Sequence, residues 1–309
     1  MTTEMTLQTQ RPNSRLNATD FHPEVLHLFD QYVHGALDRR GFLDRAGRVA
    51  AASGTTAAAL LAALSPDFAQ AQKVPPNDAR IKTEFAEFPS PAGNGKVRAY
   101  VARPAAASGP LPVVLVVHEN RGLNPHIEDI ARRLALDGFV AVAPDALFTS
   151  GGYPGDEDKA RELFGKLDMK KTSEDFVAAA TWAQGIAGGN GKLGAVGFCY
   201  GGGVVNMLAT RMPSLAAGVP FYGGQPAAEQ AANIKAELLL FFADNDDRIN
   251  AAWPPYEAAL KAAGVRFEAY KYPGTQHGFN NDTTPRFDEK AAAQAWARTV
   301  DFFKRTLRA

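Results

Sequence analysis

Lys192-Leu-Gly-Ala-Val-Gly-Phe-Cys199-Tyr-Gly-Gly-Gly203 is the stretch whose reading decides the fold. An apolar run ends at Phe198, a Gly-x-Cys-x-Gly pattern follows, and helical spacing resumes from Gly201 to Arg211. A strand that turns this sharply into a helix leaves the residue at the tip in a strained conformation. Gly197 and Gly201 lack side chains, so the two arms can pass closely. A thiol at the tip stands over a helix N-terminus, whose dipole favours the thiolate. The backbone N–H of Tyr200 points to the same place and can hold an oxyanion. Other glycine-rich readings fail. No Gly-Lys-Ser/Thr closes a phosphate loop, and no G-x-G-x-x-G opens a first βαβ unit.

Around this corner, strand and helix patterns alternate. Residues 80–88 and 96–103 read as a hairpin split by Ser-Pro-Ala-Gly-Asn-Gly. Pro112 to His118 is a continuous apolar run, as in a central strand buried on both faces. Further strands are expected over 139–143, 215–221, 238–243 and 267–272. Helices are expected over 124–137, 156–167, 173–187, 252–263 and 288–307. The alternation predicts an α/β fold, with one mostly parallel central sheet and helices on both faces.

Composition sets the class of partner. The 309 residues carry 33 Lys plus Arg and 33 Asp plus Glu, for a formal net charge of zero. There is no basic stripe, so nucleic acid is not an expected partner; a small molecule is. The single cysteine, Cys199, excludes an intramolecular disulfide. Alone, such a residue reads as a small buried hydrophobe. Its setting between two glycines, after a strand and before a helix, makes it a nucleophile instead.

A nucleophile needs a base, and in this architecture the chain order is nucleophile, acid, histidine. His277 is the only histidine after Cys199, and it lies just past an apolar strand. The acid belongs at the end of the strand before it, where Asp244, Asp246 and Asp247 compete. Chain order alone does not choose among them. His118-Glu119 lacks the second histidine of a zinc helix, since Gly122 stands in its place.

Four motifs together resemble the dienelactone hydrolase family (carboxymethylenebutenolidases) of the α/β-hydrolase superfamily, over essentially all of 80–309. They are His118-Glu-Asn-Arg-Gly122, Gly197-Phe-Cys-Tyr-Gly-Gly202, Asp246-x-x-Ile249 and His277-Gly-Phe279. The resemblance implies the α/β-hydrolase fold, and it selects Asp246 as the acid. It gives Glu119 a place beside the resting thiol, where it helps control ionisation, and the N–H of Asn120 the second oxyanion position. It implies cleavage of an ester or enol-type lactone through a thioester, with no cofactor and no metal. Such enzymes carry an arginine shortly after the histidine to grip a substrate carboxylate, but here Asn281 stands there. An amide makes no charge-assisted fork, which turns the expectation away from a dienelactone as natural substrate. Arg121 and Arg161 are the candidate replacement cations, and Tyr153, Tyr222, Trp253 and Phe279 the candidate pocket walls. Two rival readings are a broader carboxylesterase or thioesterase on the same triad, and a catalytically silent redox-sensing or ligand-binding thiol.

Residues 1–72 read as a separate segment, ahead of a catalytic domain over 73–309. Asp38-Arg-Arg-Gly-Phe-Leu-Asp44 resembles a twin-arginine export signal. An Ala-rich stretch, Val49 to Leu64, follows, and then Ala69-Gln-Ala71, a small-x-small site. The stretch is too short and too weakly apolar for stable membrane insertion. This predicts an exported, periplasmic enzyme. The alternative is a cytoplasmic enzyme with a retained helical arm, suggested by the apolar spacing of residues 22–37.

Overall fold

The computed structural model describes residues 15–308, so residues 1–14 of the expected N-terminal segment lie outside the described residues. The chain divides into two compact units, one up to Ser65 and one from Pro66 onward.

The smaller unit holds helices α1 (Pro23–Val33), α2 (Arg39–Ala52) and α3 (Ala57–Leu64). They share a core of their own, including Val25, Phe29, Tyr32, Phe42, Ala46, Leu61 and Leu64. The arginine pair therefore opens a helix. Asp38 caps α2 by accepting from the Gly41 N–H at 2.7 Å, and Phe42 is fully buried. Among the described residues no single helix is long and apolar enough to cross a membrane.

The larger unit begins with a short helix, α4 (Phe68–Ala71), and an antiparallel hairpin, β1 (Ile81–Ser90) and β2 (Gly95–Pro104). It continues through β3 (Leu111–Val117), α5 (Pro125–Leu136), β4 (Val140–Pro144), α6 (Glu157–Gly165), α7 (Met169–Gln184), β5 (Gly189–Phe198) and α8 (Tyr200–Arg211). It ends with β6 (Leu215–Phe221), β7 (Glu237–Asn245), α9 (Asp247–Asn250), α10 (Trp253–Ala262), β8 (Phe267–Gln276) and α11 (Glu289–Leu307). The eight strands form one sheet in the order β1-β2-β4-β3-β5-β6-β7-β8. Pairing is antiparallel from β1 through β2 to β4 and parallel from β4 to β8.

Side chains alternate across a strand, and β3 divides its residues accordingly. Val113, Leu115 and Val117 enter one core, with Phe176 and Ala180 of α7, Leu208 of α8 and Leu260 of α10. Val114 and Val116 enter the other, with Ile130 and Leu134 of α5 and Phe303 and Leu307 of α11. The expected α/β-hydrolase fold, covered on both faces, is what the chain adopts. Two elements differ from expectation. Helix α7 starts at Met169 rather than near Ser173, because Asp168 accepts from the Lys170 and Lys171 N–H groups and caps it. Strand β8 runs on through Pro273-Gly274 to Gln276. It is an edge strand, where a proline need not break a ladder, and its register shifts between Ala243 and Asn245 of its neighbour.

Residues 66–74 go with the larger unit because it holds their backbone. Asp67 N–H donates to the Thr283 carbonyl at 2.8 Å. The Lys73 and Val74 N–H groups donate to the Asp129 carboxylate at 3.1 and 2.8 Å. Arg133 reaches the Ala71 carbonyl at 3.3 Å, and Arg132 the Val74 carbonyl at 2.7 Å. Buried Asp282 binds the same cluster through Arg133 (2.8 Å), His126 (3.2 Å) and Lys73 (3.3 Å). Burial alone would raise the Asp282 pKa, but the His126 hydrogen bond and the charges of His126, Arg133 and Lys73 outweigh it and hold the carboxyl well below the usual range.

A carboxylate with a depressed folded-state pKa stabilises the fold above its unfolded value, near 4, and loses that contribution as pH falls. Asp282→Asn is expected to cost about 3 kcal/mol at pH 7, because it breaks a buried ion pair. The gap from wild type should close as pH drops below about 4. Urea melts of both full-length chains across that range check it, and a pH-independent gap would contradict the account.

Candidate active site

The corner between β5 and α8 places Cys199 at φ 55°, ψ −112°, with only 8% of the residue exposed. A Cβ on Gly197 would strike the Gly201 carbonyl, and one on Gly201 would strike the Val117 carbonyl. The elbow is thus wedged against the end of β3 and tolerates no side chain on either arm. Cys199 N–H donates to the Phe221 carbonyl at 3.1 Å, which ties the tip to β6 as well. Tyr200 opens α8, so its N–H has no acceptor within the helix. Its ring turns into the core, edge-on to Phe164 with centroids 4.8 Å apart. Asn120 lies on the loop just past β3, beside the elbow, because Val117 and Gly197 are paired in register.

His277 follows β8, and its Nδ1–H donates to Asp246 Oδ2 at 2.5 Å. Both residues are buried. The neighbouring aspartates are otherwise engaged. Asp244 accepts from the Gly274 N–H at 3.1 Å and pairs with Lys271 at 3.2 Å. Asp247 is exposed at the start of α9. Burial pushes the His277 pKa down, but the Cys199 charge, hydrogen bonds with Asp246 and Cys199, and the Asp246 charge together raise it to about 10. The imidazole is therefore an imidazolium facing the sulfur when the thiol is ionised.

Glu119, half-buried past the end of β3, accepts from Asn281 Nδ2–H at 2.9 Å. Asn281 itself is buried, so it meets a protein carboxylate in the site. His118 belongs to the scaffold. Its Nε2 accepts from the Ala146 N–H at 3.2 Å and its Nδ1–H donates to the Glu119 carbonyl at 2.5 Å, joining the ends of β3 and β4. Burial lowers its pKa, and with both nitrogens occupied it offers nothing to a metal.

Arg121 is buried, donates to the Asn120 side-chain oxygen at 2.7 Å and lies 3.4 Å from Glu157. Burial lowers its pKa, against the charges of Glu157, Glu119 and Cys199. Tyr153 O–H donates to the other oxygen of Glu157 at 2.8 Å. Burial raises the pKa of Glu157 and, with the Glu157 charge, that of Tyr153. Arg161 pairs with Asp158 at 3.7 Å and is close enough to repel Arg121. The site thus holds a cation, but one already attached to an acid from α6.

Tyr222 joins Cys199 as the only described non-glycine residues at positive φ, at 37°. Its ring lies 4.9 Å from that of His277, and it is fully buried. Burial, then the charges of Glu119 and Cys199, push its pKa well up, so it stays a protonated phenol beside them. Phe279 and Trp253, expected as pocket walls, both pack against aromatic neighbours. Phe279 is fully buried behind the histidine against Tyr222 and Tyr272. Trp253 packs on Phe242, Tyr256 and Phe267 in the core. Sequence reasoning missed Glu157 and Arg286. Glu157 reads locally as a first-turn acid of α6. Arg286 is buried against Gly278, beside the histidine. Neither carries a local signal.

In sequence and fold the chain is similar to known proteins. The model of the dienelactone hydrolase family matches residues 97–307, and a YqhI-like model matches residues 12–51. An Escherichia coli (strain K12) protein named "Putative carboxymethylenebutenolidase" is 35% identical over 245 residues, covering 74% of this chain and 89% of its own length. Another from that strain, "Putative hydrolase fragment YghX", is 53% identical over 113 residues, covering 37% of this chain and 97% of its own. A crystal structure of a "Putative Dienelactone Hydrolase" from Klebsiella pneumoniae subsp. pneumoniae MGH 78578 superposes with a TM-score of 0.63 at 31% identity, covering 72% of this chain and 98% of its own.

A histidine whose folded-state pKa is raised stabilises the fold fully below its unfolded value, near 6.5. That contribution is lost as pH rises through about 10. Asp246→Asn should bring the His277 midpoint down by about one to two pH units, since an opposite charge at contact shifts a pKa by that order. Imidazole resonances followed by NMR from pH 5 to 11 read the midpoint directly. A midpoint that does not move would mean that Asp246 is not what holds the imidazolium.

Proposed function

The chain belongs to the dienelactone hydrolase family, which makes it a hydrolase of carboxylic esters or lactones, and we propose that it works through a Cys199–His277–Asp246 triad. The observation that carries this reading is the constrained tip at Cys199, with the Asp246-held imidazole of His277 facing it.

The Cys199 thiolate attacks the carbonyl carbon, and the C=O electron pair moves onto oxygen. The N–H groups of Tyr200 and Asn120 hold that oxyanion. As the carbonyl re-forms, the C–O bond to the leaving group breaks and the imidazolium of His277 gives the leaving oxygen its proton. The neutral imidazole then takes a proton from water, which attacks the thioester. Collapse of the second tetrahedral species releases the carboxylic acid and restores the thiolate–imidazolium pair. A thiolate is itself readily expelled, so enol esters and activated lactones suit this site better than amides. No step calls for a cofactor.

The acyl group is one without a free carboxylate. Asn281 is engaged with Glu119, and Arg121 with Asn120 and Glu157. An incoming carboxylate would have to displace one of those partners.

For residues 15–65 we propose a retained helical module. The reading is supported by the capped start of α2 and the burial of Phe42 in a core shared with α1 and α3. A receptor-read export signal must instead be presented as an accessible peptide.

Cys199→Ala and His277→Ala should each lower kcat/KM for p-nitrophenyl acetate by at least about 10³-fold, as losing a nucleophile or its base does. A carboxylate-free lactone should be turned over faster than a dienelactone bearing a carboxylate, and Asn281→Arg should narrow that difference. An active Cys199→Ala enzyme would sink the triad. Intact-mass analysis of the protein from its native host tests the module: a full-length chain is expected, and a chain beginning near residue 72 would restore the export reading.

A further inference from the structure

Asn281 occupies a place in the site that the triad does not explain. Its amide is fixed in one orientation. Oδ1 accepts from the Thr283 N–H at 3.0 Å and from the Thr283 hydroxyl at 2.6 Å. A backbone N–H can only donate, so the oxygen faces Thr283 and the NH2 faces Glu119, whose Oε2 it reaches at 2.9 Å. The turn is fastened as well: Asn281 N–H donates to the Gly278 carbonyl at 2.9 Å, one residue past His277. Asn281 and Thr283 are both buried. The loop that delivers the histidine therefore also carries a rigid, neutral donor aimed at the carboxylate beyond β3.

We propose that Asn281 is a positioning residue. It holds the Glu119 carboxylate beside Cys199 whether or not substrate is present, and so sets the pH range over which the thiol reacts. The proposal rests on the reading of Cys199 as nucleophile and adds a residue that acts on it through Glu119. The charge of Glu119 acts on His118 and Arg121 near it in the chain, on Glu157 from α6 and on Tyr222 from the end of β6; Arg121 and Tyr222 also feel that of Cys199, which His277, held by Asp246, faces from the loop after β8. Arg121 is shared with Glu157 and Asn120. A neutral donor at 281 fixes the carboxylate without cancelling its charge, and a fixed negative charge beside sulfur opposes the thiolate. A cation at 281 would cancel that charge and draw a substrate carboxylate. The amide does neither.

The experiment needs no substrate. The rate of Cys199 alkylation by iodoacetamide is measured from pH 4 to 10 in the full-length chain, with thermal unfolding recorded alongside. Asn281→Asp adds a second negative charge and should raise the midpoint by about one pH unit. Asn281→Leu lets Glu119 relax away or take a proton, and Glu119→Gln removes its charge, so both should lower the midpoint. Adding Asn281→Leu to Glu119→Gln should shift it no further. A merely structural asparagine would change the melting temperature and leave the midpoint in place. Unmoved midpoints, or an Asn281→Leu effect that persists in the Glu119→Gln chain, would overturn the proposal. If one variant does not fold, the sign of the other's shift decides. The outcomes separate from those of the triad. Ester turnover that survives Cys199→Ala removes the nucleophile but not the alkylation result. Cys199-dependent turnover with unmoved midpoints removes only the role of Asn281.

Discussion

The strained backbone of Cys199 is the constraint on which the rest of the site depends. An L-residue near φ 55°, ψ −112° costs on the order of 1–3 kcal/mol and persists only where its surroundings leave no alternative. Here the surroundings are backbone on every side. The Gly201 carbonyl lies against Gly197, the Val117 carbonyl lies against Gly201, and the Phe221 carbonyl holds the Cys199 N–H. Strands β3, β5 and β6 thus clamp one residue between them. Because β3 and β6 are clamped there, the residues that leave them, Glu119 and Tyr222, are brought to the elbow, where Tyr222 feels the charges of both Glu119 and Cys199. Tyr222 carries the other positive φ among described non-glycine residues. Strain is concentrated where the end of β6 meets the elbow, at the only two described non-glycine residues with positive φ.

The polar side chains around that point are engaged with one another, by charge at His277 and Arg121 and by a neutral hydrogen bond at Glu119. His277 has Asp246, Glu119 has Asn281, and Arg121 has Glu157 with Tyr153 behind it. In a buried setting an uncompensated charge is far more costly than a paired one. On the proposed mechanism, a substrate entering such a site would gain little by bringing a carboxylate of its own.

What the sequence reveals is what local physics dictates. The elbow is legible because the two glycines that permit it lie four residues apart, next to the residue they constrain. The buried strands are legible because their apolar runs are continuous. The acid is legible only through the family motif Asp246-x-x-Ile249: Asp244, Asp246 and Asp247 have the same local chemistry, and in the structure burial against His277 separates them. The partnership of Asn281 with Glu119 spans 162 positions and leaves no periodic trace. Trp253 reads as well for a pocket as for a core, and three aromatic neighbours decide it. The paired arginines carry two readings in one pattern: Arg-Arg-x-Phe-Leu resembles an export signal, and its Phe42 is buried within a helical unit.

The turn over 278–284 is shared by two tasks. One end bears Asn281 on Glu119, and the other is joined to residues 66–73 through the Thr283 carbonyl and the Asp282 carboxylate. A loop tethered on both flanks cannot drift as surface loops ordinarily do. The same short turn thus fixes the side chain on Glu119 and the backbone that leads into the larger unit. A segment that enters a domain would elsewhere be among its freest parts; here it is as firmly seated as the site it borders.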